Sequence, residues 1–488
     1  MRLEEILKDT GYISANGNTD IDITDIASDS RECVAGCLFI AVKGFQTDGH
    51  LFIGQAIKAG AAAVVYQDEM PDKADGWDNI VTVRVNDSRH AVGTISANFF
   101  RHPSSELELV GITGTNGKTT IATLLYRLMT MLGYKCGLLS TIANYVIDKK
   151  YGTANTTGDP ITTNRLLREM ADSGCAYCFM EVSSHALHQE RVNGLRFKGA
   201  IFTNITRDHL DYHKTFEEYI RCKKMLFDSL PSGSFALINS DDKRGKIMVQ
   251  NCKATVYTYS SGTMADFRAA VLEKSLEGSL LSINGTQVWV RFIGEHNAHN
   301  LCAVYGCAIL LGSGKEETLR CMSALGPVKG RLEYIKGGRG ITAVVDYAHT
   351  PDALENVLKT LKPLCRGTSL TAVFGCGGNR DKGKRSEMAA IGAKYADRII
   401  ITSDNPRYEK AEDIIEDMKK GIPDGDMGRV LFITDRKEAI RTAIATAPPE
   451  SIVVVAGKGH EDYQIINGVK HHFDDREVID ECFKQIKA

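Results

Sequence analysis

The sequence has almost no net charge and no long apolar run. Its 488 residues carry 59 Lys and Arg against 61 Asp and Glu, a formal charge of -2. A protein that binds nucleic acid through a broad basic surface needs an excess of Lys and Arg. Nucleic-acid-binding proteins of this kind are therefore excluded, and any anionic ligand must be bound at a local site. The longest apolar stretches, including residues 59–66 and 452–456, are far too short to cross a bilayer, so no membrane insertion is expected.

Internal repeats, low-complexity tracts and coiled-coil heptads are also missing, and the 13 cysteines are scattered. Glu4 and Glu5 stand where a secretory signal needs apolar residues. We therefore expect a cytoplasmic protein with reduced thiols. Cys175 and Cys178 have the spacing of a redox or metal pair, but no second pair follows, and the apolar run around them favours buried structural thiols.

Length and periodicity predict three α/β domains. Hydrophobic residues make up 43% of the chain, which is enough to build cores, and a typical domain has about 150 residues. Short strand-like runs occupy residues 1–90, and strands then alternate with amphipathic helices through residues 91–331 and again through residues 332–488. Such alternation implies mainly parallel sheets with helices on both faces and ligands at the carboxyl ends of the strands.

A glycine-rich loop follows a strand-like run and opens an amphipathic helix. It consists of Gly114, Thr115, Asn116, Gly117, Lys118, Thr119 and Thr120. Glycines let backbone N–H groups face phosphate oxygens, and the helix N-terminus adds partial positive charge. Lys118 would reach the β- and γ-phosphates of ATP, and the Thr119 hydroxyl would bind Mg²⁺. Ile112 stands where the strict pattern has its first Gly, yet the strand–loop–helix context predicts a nucleotide site.

Two later strand-like runs end in polar clusters. Glu181 directly follows an apolar run and would bind Mg²⁺ opposite Thr119, although the neighbouring Ser183 also fits an ordinary helix cap. Residues 203–213 pack six polar groups just past another apolar run, and this density favours a site over packing.

Taken in order, these and further motifs resemble the Mur ligase family, and within it the MurE-type branch. The resemblance runs nearly end to end, and its specificity comes from the ordered combination. It rests on residues 29–31 (DSR), 114–120 (GTNGKTT), 155–157 (NTT), 181–185 (EVSSH), 208–213 (DHLDYH), 297 and 300 (both Asn), 330–331 (GR), 346–351 (DYAHTP), 404–407 (DNPR) and 457–461 (GKGHE).

The resemblance implies an ATP-dependent amide ligase of peptidoglycan precursor synthesis, a cytoplasmic monomer that acts on small molecules. ATP would phosphorylate the D-Glu side-chain carboxylate of UDP-MurNAc-L-Ala-D-Glu, and the amine of a diamino acid would attack the acyl phosphate and displace phosphate. Residues 1–90 would form a UDP-sugar-binding α/β domain, residues 91–331 a central P-loop ATP-binding domain, and residues 332–488 a Rossmann-like amino-acid-binding domain. Mg²⁺ and Lys118 would neutralise the transferring phosphoryl group.

The resemblance also implies roles for individual residues. His209 and Lys223 would join Thr119 and Glu181 as Mg²⁺ ligands, Lys223 as a carbamate that supplies oxygen; the adjacent Lys224 leaves that assignment open. The remaining ATP contacts would be Asn297 and Asn300 at adenine, Arg331 at the hinge, Asp346 at the ribose and His349 beside the phosphates. The UDP-MurNAc-dipeptide contacts would be Ser28, Ser30, Phe45, Gln46, Thr47, Asn155, Thr156, Thr157, Ser183, Gln189 and Arg191, with Gly158 in place of the family's usual Pro.

The choice of amino acid depends on residues 404–407. Asp404, Asn405, Pro406 and Arg407 resemble the signature of enzymes that add meso-2,6-diaminopimelate, with Arg380, Gly457 and Glu461 completing the pocket. Diaminopimelate differs from L-lysine chiefly by a second carboxylate, for which Arg407 offers a bidentate fork. Lysine would leave that cation unpaired and should be rejected. The alternative is that Arg407 only caps a turn.

Other functions fit parts of the sequence. The same ligase could add L-lysine, and a folylpolyglutamate-synthetase-like ligase would share the loop but not the motif at residues 29–31. A P-loop switch or motor would need a switch element and a catalytic Gln or arginine finger, for which no sequence signal is found. An inactive scaffold is disfavoured by the intact Lys118, Glu181 and His209.

Overall fold

The computed structural model describes residues 1–45, 47–70, 77, 79–153, 155–365 and 367–487. Within these residues the chain forms three large sheets, one after another along the sequence, and a separate two-stranded hairpin. No helix of the described part is both long and apolar enough to cross a membrane. All 13 cysteines have free thiols, and Cys175 and Cys178 are buried, which confirms the prediction for this pair.

The N-terminal part is built around a five-stranded sheet. Its elements are α1 (Leu3–Ile6), β1 (Ser14–Asn16), β2 (Ile26–Ala27), β3 (Leu38–Ile40), α2 (Ile53–Lys58), β4 (Ala63–Tyr66), β5 (Val81–Arg84) and α3 (Ser88–Phe99), with 3-10 turns at Ser30–Glu32 and Gly49–Phe52. The strand order is β1-β5-β4-β3-β2, in which β1 is antiparallel to β5 and the other neighbours are parallel. Leu38 and Ile40 pack with α1 and α3, and Phe39 packs with α2, so both faces of the sheet are covered.

The middle of the chain forms an eleven-stranded sheet. Its strands are β6 (Glu108–Thr113), β7 (Cys136–Leu139), β8 (Asn144–Val146), β9 (Lys149–Tyr151), β10 (Tyr177–Glu181), β11 (Gly199–Phe202), β12 (Phe235–Asn239), β13 (Thr255–Ser260), β14 (Phe267–Ser275), β15 (Gly278–Ile283) and β16 (Thr286–Val290). Its helices are α4 (Lys118–Met131), α5 (Pro160–Asp172), α6 (Ser184–His188), α7 (Leu210–His213), α8 (Phe216–Asp228), α9 (Gly245–Met248), α10 (Glu295–Leu310) and α11 (Lys315–Ala324), with a 3-10 turn at Pro103–Ser105.

The centre of this sheet is parallel and its edges are antiparallel. Strands β13, β12, β11, β6, β10 and β7 are parallel neighbours in that order. Strands β14 to β16 extend one edge, and β8 and β9 extend the other. The chain runs from β6 to one side and later returns to β11 on the other side, so the carboxyl ends of β6, β10 and β11 border a crevice suited to a ligand.

The C-terminal part forms a six-stranded sheet and the hairpin. Its elements are β17 (Glu333–Lys336), β18 (Thr342–Asp346), α12 (Pro351–Leu361), β19 (Leu370–Phe374), α13 (Gly383–Tyr395), β20 (Arg398–Ile401), α14 (Ala411–Lys419), β21 (Val430–Phe432), α15 (Arg436–Ala445), β22 (Ile452–Ala456), β23 (Tyr463–Ile466), β24 (Val469–His472) and α16 (Asp475–Lys487), with 3-10 turns at Gly338–Gly340, Lys362–Cys365 and Asp424–Arg429. The sheet order is β17-β18-β22-β19-β20-β21, antiparallel between β17 and β18 and parallel elsewhere.

The predicted α/β class is confirmed: the three sheets are rich in parallel strands and flanked by helices. The strands β1, β2, β5, β7 to β9, β13 to β17, β23 and β24 were not predicted. They are short or solvent-facing on one side, so they lack the long apolar runs that marked the central strands.

Candidate active site

The glycine-rich loop lies between β6 and α4, as its sequence context predicts. Gly114 has a φ of 147°, and a Cβ at this position would lie 1.8 Å from Thr203 Oγ1. A side chain at position 114 would therefore break the loop. Thr203, which follows β11, donates from its hydroxyl to the carbonyl oxygen of Asn116 at 2.6 Å. The neighbouring strand thus helps to fix the shape of the loop.

Lys118 begins α4 and folds back over the loop. Its Nζ donates to the carbonyl oxygens of Gly114 and Thr115, both at 2.9 Å. Burial lowers the pKa of Lys118 from its ordinary value. The same side chain lines the larger of two cavities described below, so its N–H groups lie where the oxygens of a bound nucleotide would replace the carbonyl contacts.

Thr119 and Glu181 meet beyond the ends of β6 and β10. Thr119 Oγ1 donates to Glu181 Oε2 at 2.8 Å, and the backbone N–H of Thr141 donates to Glu181 Oε1 at 2.8 Å. Glu181 is fully buried, and a carboxylate this deep needs a cation or strong hydrogen-bond donors. A hydroxyl and a carboxylate are oxygen ligands of the kind Mg²⁺ prefers, so the pair fits the predicted metal site.

Two neighbouring lysines of α8 have different surroundings. Lys224 Nζ pairs with Asp228 one turn away at 2.5 Å, whereas Lys223 is buried and donates to the carbonyl oxygen of Gly114 at 2.7 Å. Burial, followed by the charge of Lys118, holds the pKa of Lys223 well below its ordinary value. Of the two lysines, Lys223 is therefore the one whose burial favours the neutral amine that carbamylation needs.

His209 and His349 face the larger cavity from two different parts of the chain. Burial lowers the pKa of His209, against the opposing charge of Asp208 at 3.3 Å, and burial lowers the pKa of His349 to about 4. His349 Nδ1 lies 2.8 Å from the carbonyl oxygen of Tyr347. Nδ1 therefore carries the proton and Nε2 keeps its lone pair. Both imidazoles are neutral at pH 7 and can accept a hydrogen bond or bind a cation.

Two cavities meet at the glycine-rich loop, one of about 380 Å³ and one of about 360 Å³. Most of the predicted ATP and metal residues divide between them, whereas Gly114 and Lys223 line neither cavity. Lining the larger cavity are Thr115, Asn116, Gly117, Lys118, Thr119, Glu181, His209 and Arg331. Lining the smaller cavity are Asn116, Gly117, Thr120, Asn297, Asn300, Arg331 and Asp346. An elongated nucleotide could therefore place its base in one cavity and its phosphates in the other.

The predicted adenine and ribose residues line the smaller cavity. Asn300 Nδ2 donates to Asn297 Oδ1 at 3.3 Å, and both side chains are buried on α10. Asp346 accepts from the backbone N–H groups of Leu332 and Ala348 at 2.7 and 2.8 Å, and burial raises its pKa. Asp346 thus braces the start of the third sheet in addition to lining the cavity.

The C-terminal part contacts the glycine-rich loop directly. Arg331 Nη2 donates to Thr119 Oγ1 at 3.2 Å, and its guanidinium lies 4.6 Å from the ring centre of Tyr347. Asn116 Nδ2 donates to Asp352 Oδ2 at 3.0 Å. These contacts bring the second and third sheets to opposite walls of the same cavities.

The far end of the larger cavity is lined by Arg380, Asp404, Asn405, Arg407, Gly457 and Glu461, all of them predicted diaminopimelate contacts. Pro406 belongs to the same segment but does not line the cavity. Burial, followed by the charge of Arg380, lowers the pKa of Arg407, and burial, followed by the charge of Asp404, raises the pKa of Glu461. Two cations and two acids at one end suit a ligand that carries both carboxylate and ammonium groups.

The Arg407 side chain contacts the loop that follows β19. Its Nη1 donates to the carbonyl oxygen of Gly378 at 2.7 Å, so the side chain reaches across the cavity wall. Glu461 Oε2 accepts from Asn405 Nδ2 at 2.9 Å and from the fully buried Lys458 at 3.3 Å. Both charged groups are therefore held in fixed directions by neighbouring residues.

One group of the predicted UDP-MurNAc-dipeptide residues forms a hydrogen-bonded cluster beside β10. Thr157 Oγ1 donates to the carbonyl oxygen of Glu181 at 2.8 Å and accepts from the backbone N–H of Ser183 at 3.0 Å. Arg191 Nη1 donates to the carbonyl oxygen of Thr157 at 3.1 Å. Gly158, in place of the usual Pro, leaves these contacts in place.

The first domain reaches this cluster through Phe45. The Phe45 ring lies 5.4 Å from His188 and 5.9 Å from Tyr212, and the Tyr212 hydroxyl accepts from Gln189 Nε2 at 3.1 Å. A surface shared by the first two sheets is therefore in place. Of the other predicted contacts, Thr156 lines the larger cavity, Asn155 is exposed, Ser28, Ser30 and Thr47 line neither cavity, and Gln46 lies outside the described residues.

Comparison with known sequences accounts for nearly the whole chain. Profiles described as Mur ligase family, catalytic domain; Mur ligase middle domain; and Mur ligase, glutamate ligase domain match residues 22–100, 112–308 and 330–459. The chain belongs to the Mur ligase family.

Relatives within this family share its full length. A Bacteroides fragilis protein named UDP-N-acetylmuramoyl-L-alanyl-D-glutamate--2,6-diaminopimelate ligase is 53% identical over 484 residues, which is 99% of each chain. A solved structure of a ligase with the same name is 34% identical, covers 100% of this chain and 99% of its own, and has a TM-score of 0.69. A Mycobacterium tuberculosis folylpolyglutamate synthase, solved with ADP and AMPPCP, is 20% identical and covers 76% of this chain with a TM-score of 0.61, a likeness of fold alone.

In this Mur ligase, several charged residues line the larger cavity without having been assigned from the sequence. They are Arg207, Asp208, Asp211, Asp352, Asp381, Lys384 and Glu387. Arg207 and Asp208 lie in the polar cluster that follows β11, and Asp381 and Lys384 lie within a charged run after β19, so local charge density could have revealed them. Asp352 has no local signal, because its partner Asn116 is 236 residues away.

Proposed function

We propose that this protein is an ATP-dependent amide ligase that adds meso-2,6-diaminopimelate to the D-Glu side-chain carboxylate of UDP-MurNAc-L-Ala-D-Glu. The observation that carries the proposal is a single cavity of about 380 Å³ that is lined both by the glycine-rich loop and by Arg380, Arg407, Asp404 and Glu461. The full-length relatives named for this reaction support it. We assign UDP-sugar binding to residues 1–90, ATP binding to residues 91–331 and amino-acid binding to residues 332–488.

The first step transfers the γ-phosphoryl group of ATP to the D-Glu carboxylate. Two anions approach each other in this step, so the site must supply positive charge. Lys118 and Arg331 line the cavity where the phosphates would lie and can bind their oxygens. The products are ADP and an acyl phosphate, and Asn297 and Asn300 would hold the adenine of ATP throughout.

Thr119 and Glu181 would hold one Mg²⁺, and His209 with the carbamate of Lys223 would hold a second. Bound there, the ions would shield the negative charges of the phosphates. The oxygen-rich pair of Thr119 and Glu181 supports the first assignment, since their side-chain oxygens are 2.8 Å apart.

Carbamylation of Lys223 would turn a cation into an anionic ligand. The neutral amine attacks carbon dioxide, a C–N bond forms, and one proton is released to water. The lowered pKa of Lys223 supports this step, because its main cause is burial. We assign the modification to Lys223 because the Nζ of Lys224 is already engaged by Asp228.

In the second step the amine of the diamino acid attacks the acyl phosphate and displaces phosphate. Arg407 and Arg380 would bind the distal carboxylate, and Glu461 would receive the distal ammonium group. Such a site holds the attacking amine in line with the activated carbonyl, which supplies much of the rate enhancement. L-lysine has no distal carboxylate and would leave Arg407 unpaired, so we expect it to be a poor substrate.

The remaining assignments follow from the same reaction. The cluster of Thr157, Ser183, Gln189 and Arg191, with Ser28, Ser30 and residues 45–47 of the first domain, would hold the UDP-MurNAc-dipeptide. We expect a cytoplasmic monomer, because its substrates are soluble nucleotide-linked precursors. Size-exclusion chromatography with light scattering would measure the oligomeric state.

The test is phosphate release from ATP and Mg²⁺ with UDP-MurNAc-L-Ala-D-Glu, comparing meso-diaminopimelate, L-lysine and no amino acid, with mass spectrometry of the product. Release and a tripeptide product with meso-diaminopimelate alone are expected. Product with lysine alone would keep the ligase and overturn the role of Arg407. Release that needs no amino acid would favour a P-loop switch instead.

A further inference from the structure

The hairpin of β23 and β24 lies against the segment of residues 404–407. The backbone N–H of Arg407 donates to the carbonyl oxygen of Ile465 at 3.0 Å, and the N–H of Asn467 donates to the carbonyl oxygen of Arg407 at 2.6 Å. The N–H of Ile465 donates to Asn405 Oδ1 at 2.9 Å. Two residues that line the amino-acid end of the cavity are thus tied to the hairpin.

Gln464 adds side-chain contacts between the hairpin and this segment. Its Nε2 donates to Ser403 Oγ at 2.8 Å and to the carbonyl oxygen of Asp404 at 2.6 Å. The residue is buried, so both of its amide hydrogens are used inside the protein. Removing the donors would leave a buried carbonyl oxygen without a partner, which is costly.

The segment needs such support because the sheet does not define its shape. Strand β20 ends at Ile401, and the chain then leaves the sheet. Arg407 has a φ of 56°, in the left-handed region that residues with a Cβ rarely adopt. Residues in this region persist when surrounding contacts hold them there. Here the hairpin supplies the contacts of the Arg407 backbone N–H and carbonyl oxygen, and the loop at Gly378 supplies contacts to the Arg407 side chain and to the Asn405 carbonyl oxygen.

We propose that Gln464 is a positioning residue for the amino-acid subsite. By fixing Ser403 and Asp404, it sets the direction in which Asn405 and Arg407 face the diamino acid. Gln464 does not itself line the cavity, so it acts through these residues. The inference rests on the proposed function, since it needs a diamino acid at that end of the cavity.

The test replaces Gln464 with methionine, which has a similar length and no amide donors. We expect the KM for meso-diaminopimelate to rise about tenfold, the effect of losing one or two buried hydrogen bonds. The kcat and the KM values for ATP and the UDP-dipeptide should stay within about twofold of the unmodified enzyme, since neither site contacts the hairpin. The matched control is Gln287→Met, the same change at an exposed position of β16.

Two outcomes would overturn the inference. One is an unchanged KM for meso-diaminopimelate in Gln464→Met; the other is an equal rise in all three KM values with a lower Tm, which would indicate a general structural role. If Gln464→Met does not fold, Ser403→Ala removes one of the two acceptors and should raise the same KM severalfold. Failure of the unmodified enzyme to form product would instead refute the proposed function, which keeps the two results separate.

Discussion

Replacing Arg407 with alanine should weaken the binding of meso-diaminopimelate while leaving ATP and the UDP-dipeptide unaffected. Arg407 Nη1 donates to the carbonyl oxygen of Gly378 at 2.7 Å, and the residue lines the larger cavity. A hydrogen bond to a charged group contributes about 1.5–3 kcal/mol, which corresponds to roughly 10- to 100-fold in affinity. Arg380 lies close enough to influence Arg407 and would retain part of the attraction, so we expect the lower half of that range.

The assay is initial-rate phosphate release at varied meso-diaminopimelate, followed by the same series with L-lysine. The variant should show a raised KM for meso-diaminopimelate and a smaller preference over lysine, because the lost group recognises the carboxylate that lysine lacks. Arg407→Lys should be intermediate, since it keeps the charge but not the fork. Arg320→Ala, at an exposed position of α11, is the matched control. A KM within twofold of the unmodified enzyme would refute the reasoning.

Three further predictions concern the phosphate end and the buried histidines. Lys118→Ala should lower kcat by about 10²- to 10³-fold with little change in Tm, and near-normal phosphate release would contradict its role. Lys223→Ala should lose about 100-fold in kcat and recover partly with added formate or acetate, whereas Lys224→Ala should stay active. ¹³C NMR with labelled bicarbonate would detect the carbamate on Lys223, and the absence of a signal would argue against the modification. Burial lowers the pKa of His296 and His349 to about 4. In the unfolded chain their pKa values are near 6.5, so as the pH falls the unfolded chain takes up protons before the folded protein does. The free energy of unfolding should therefore be highest above pH 6.5 and should fall towards pH 4, by at most about 1.4 kcal/mol per pH unit for each histidine. Urea unfolding at pH 7.5, 6 and 5 measures this, and a constant midpoint would refute it.

The sequence could predict what local pattern determines. Residues 107–113 are an apolar run that precedes a glycine-rich loop. In the structure β6 spans Glu108–Thr113 and leads directly into that loop. The edge strands escaped prediction because their burial alternates or is shallow, as in β24, where all four residues are exposed. The hairpin that supports Arg407 is formed by two of the unpredicted strands. The sequence therefore predicted residues of the amino-acid subsite but not the hairpin that contacts them.

Contacts between distant parts of the chain could not be predicted from the sequence either, but for a different reason. Asn116 and Asp352 meet across two domains, and nothing near either residue in the sequence indicates the other. Lys458 stood inside a motif quoted for the resemblance, yet its role became clear only when it was found buried against Glu461. The sequence shows which side chains are available, but it does not show the relative orientation of the sheets that brings them together.

Charged residues are distributed unevenly along the larger cavity, and we therefore expect its two ends to bind different ligands. At the loop end, Lys118 and Arg331 would face polyanionic phosphate. Each acid there has a partner: Glu181 is buried against a hydroxyl that can share a cation with it, Asp352 accepts from Asn116, and Asp208 lies 3.3 Å from His209. At the far end, arginines and acids alternate, as Arg407 and Glu461 do. A polyanion would be repelled by those acids, and a zwitterion would gain little at the loop end. We therefore expect the phosphates to bind at the loop end and the diamino acid at the far end, so that the activated carboxylate forms between them, within reach of the amine.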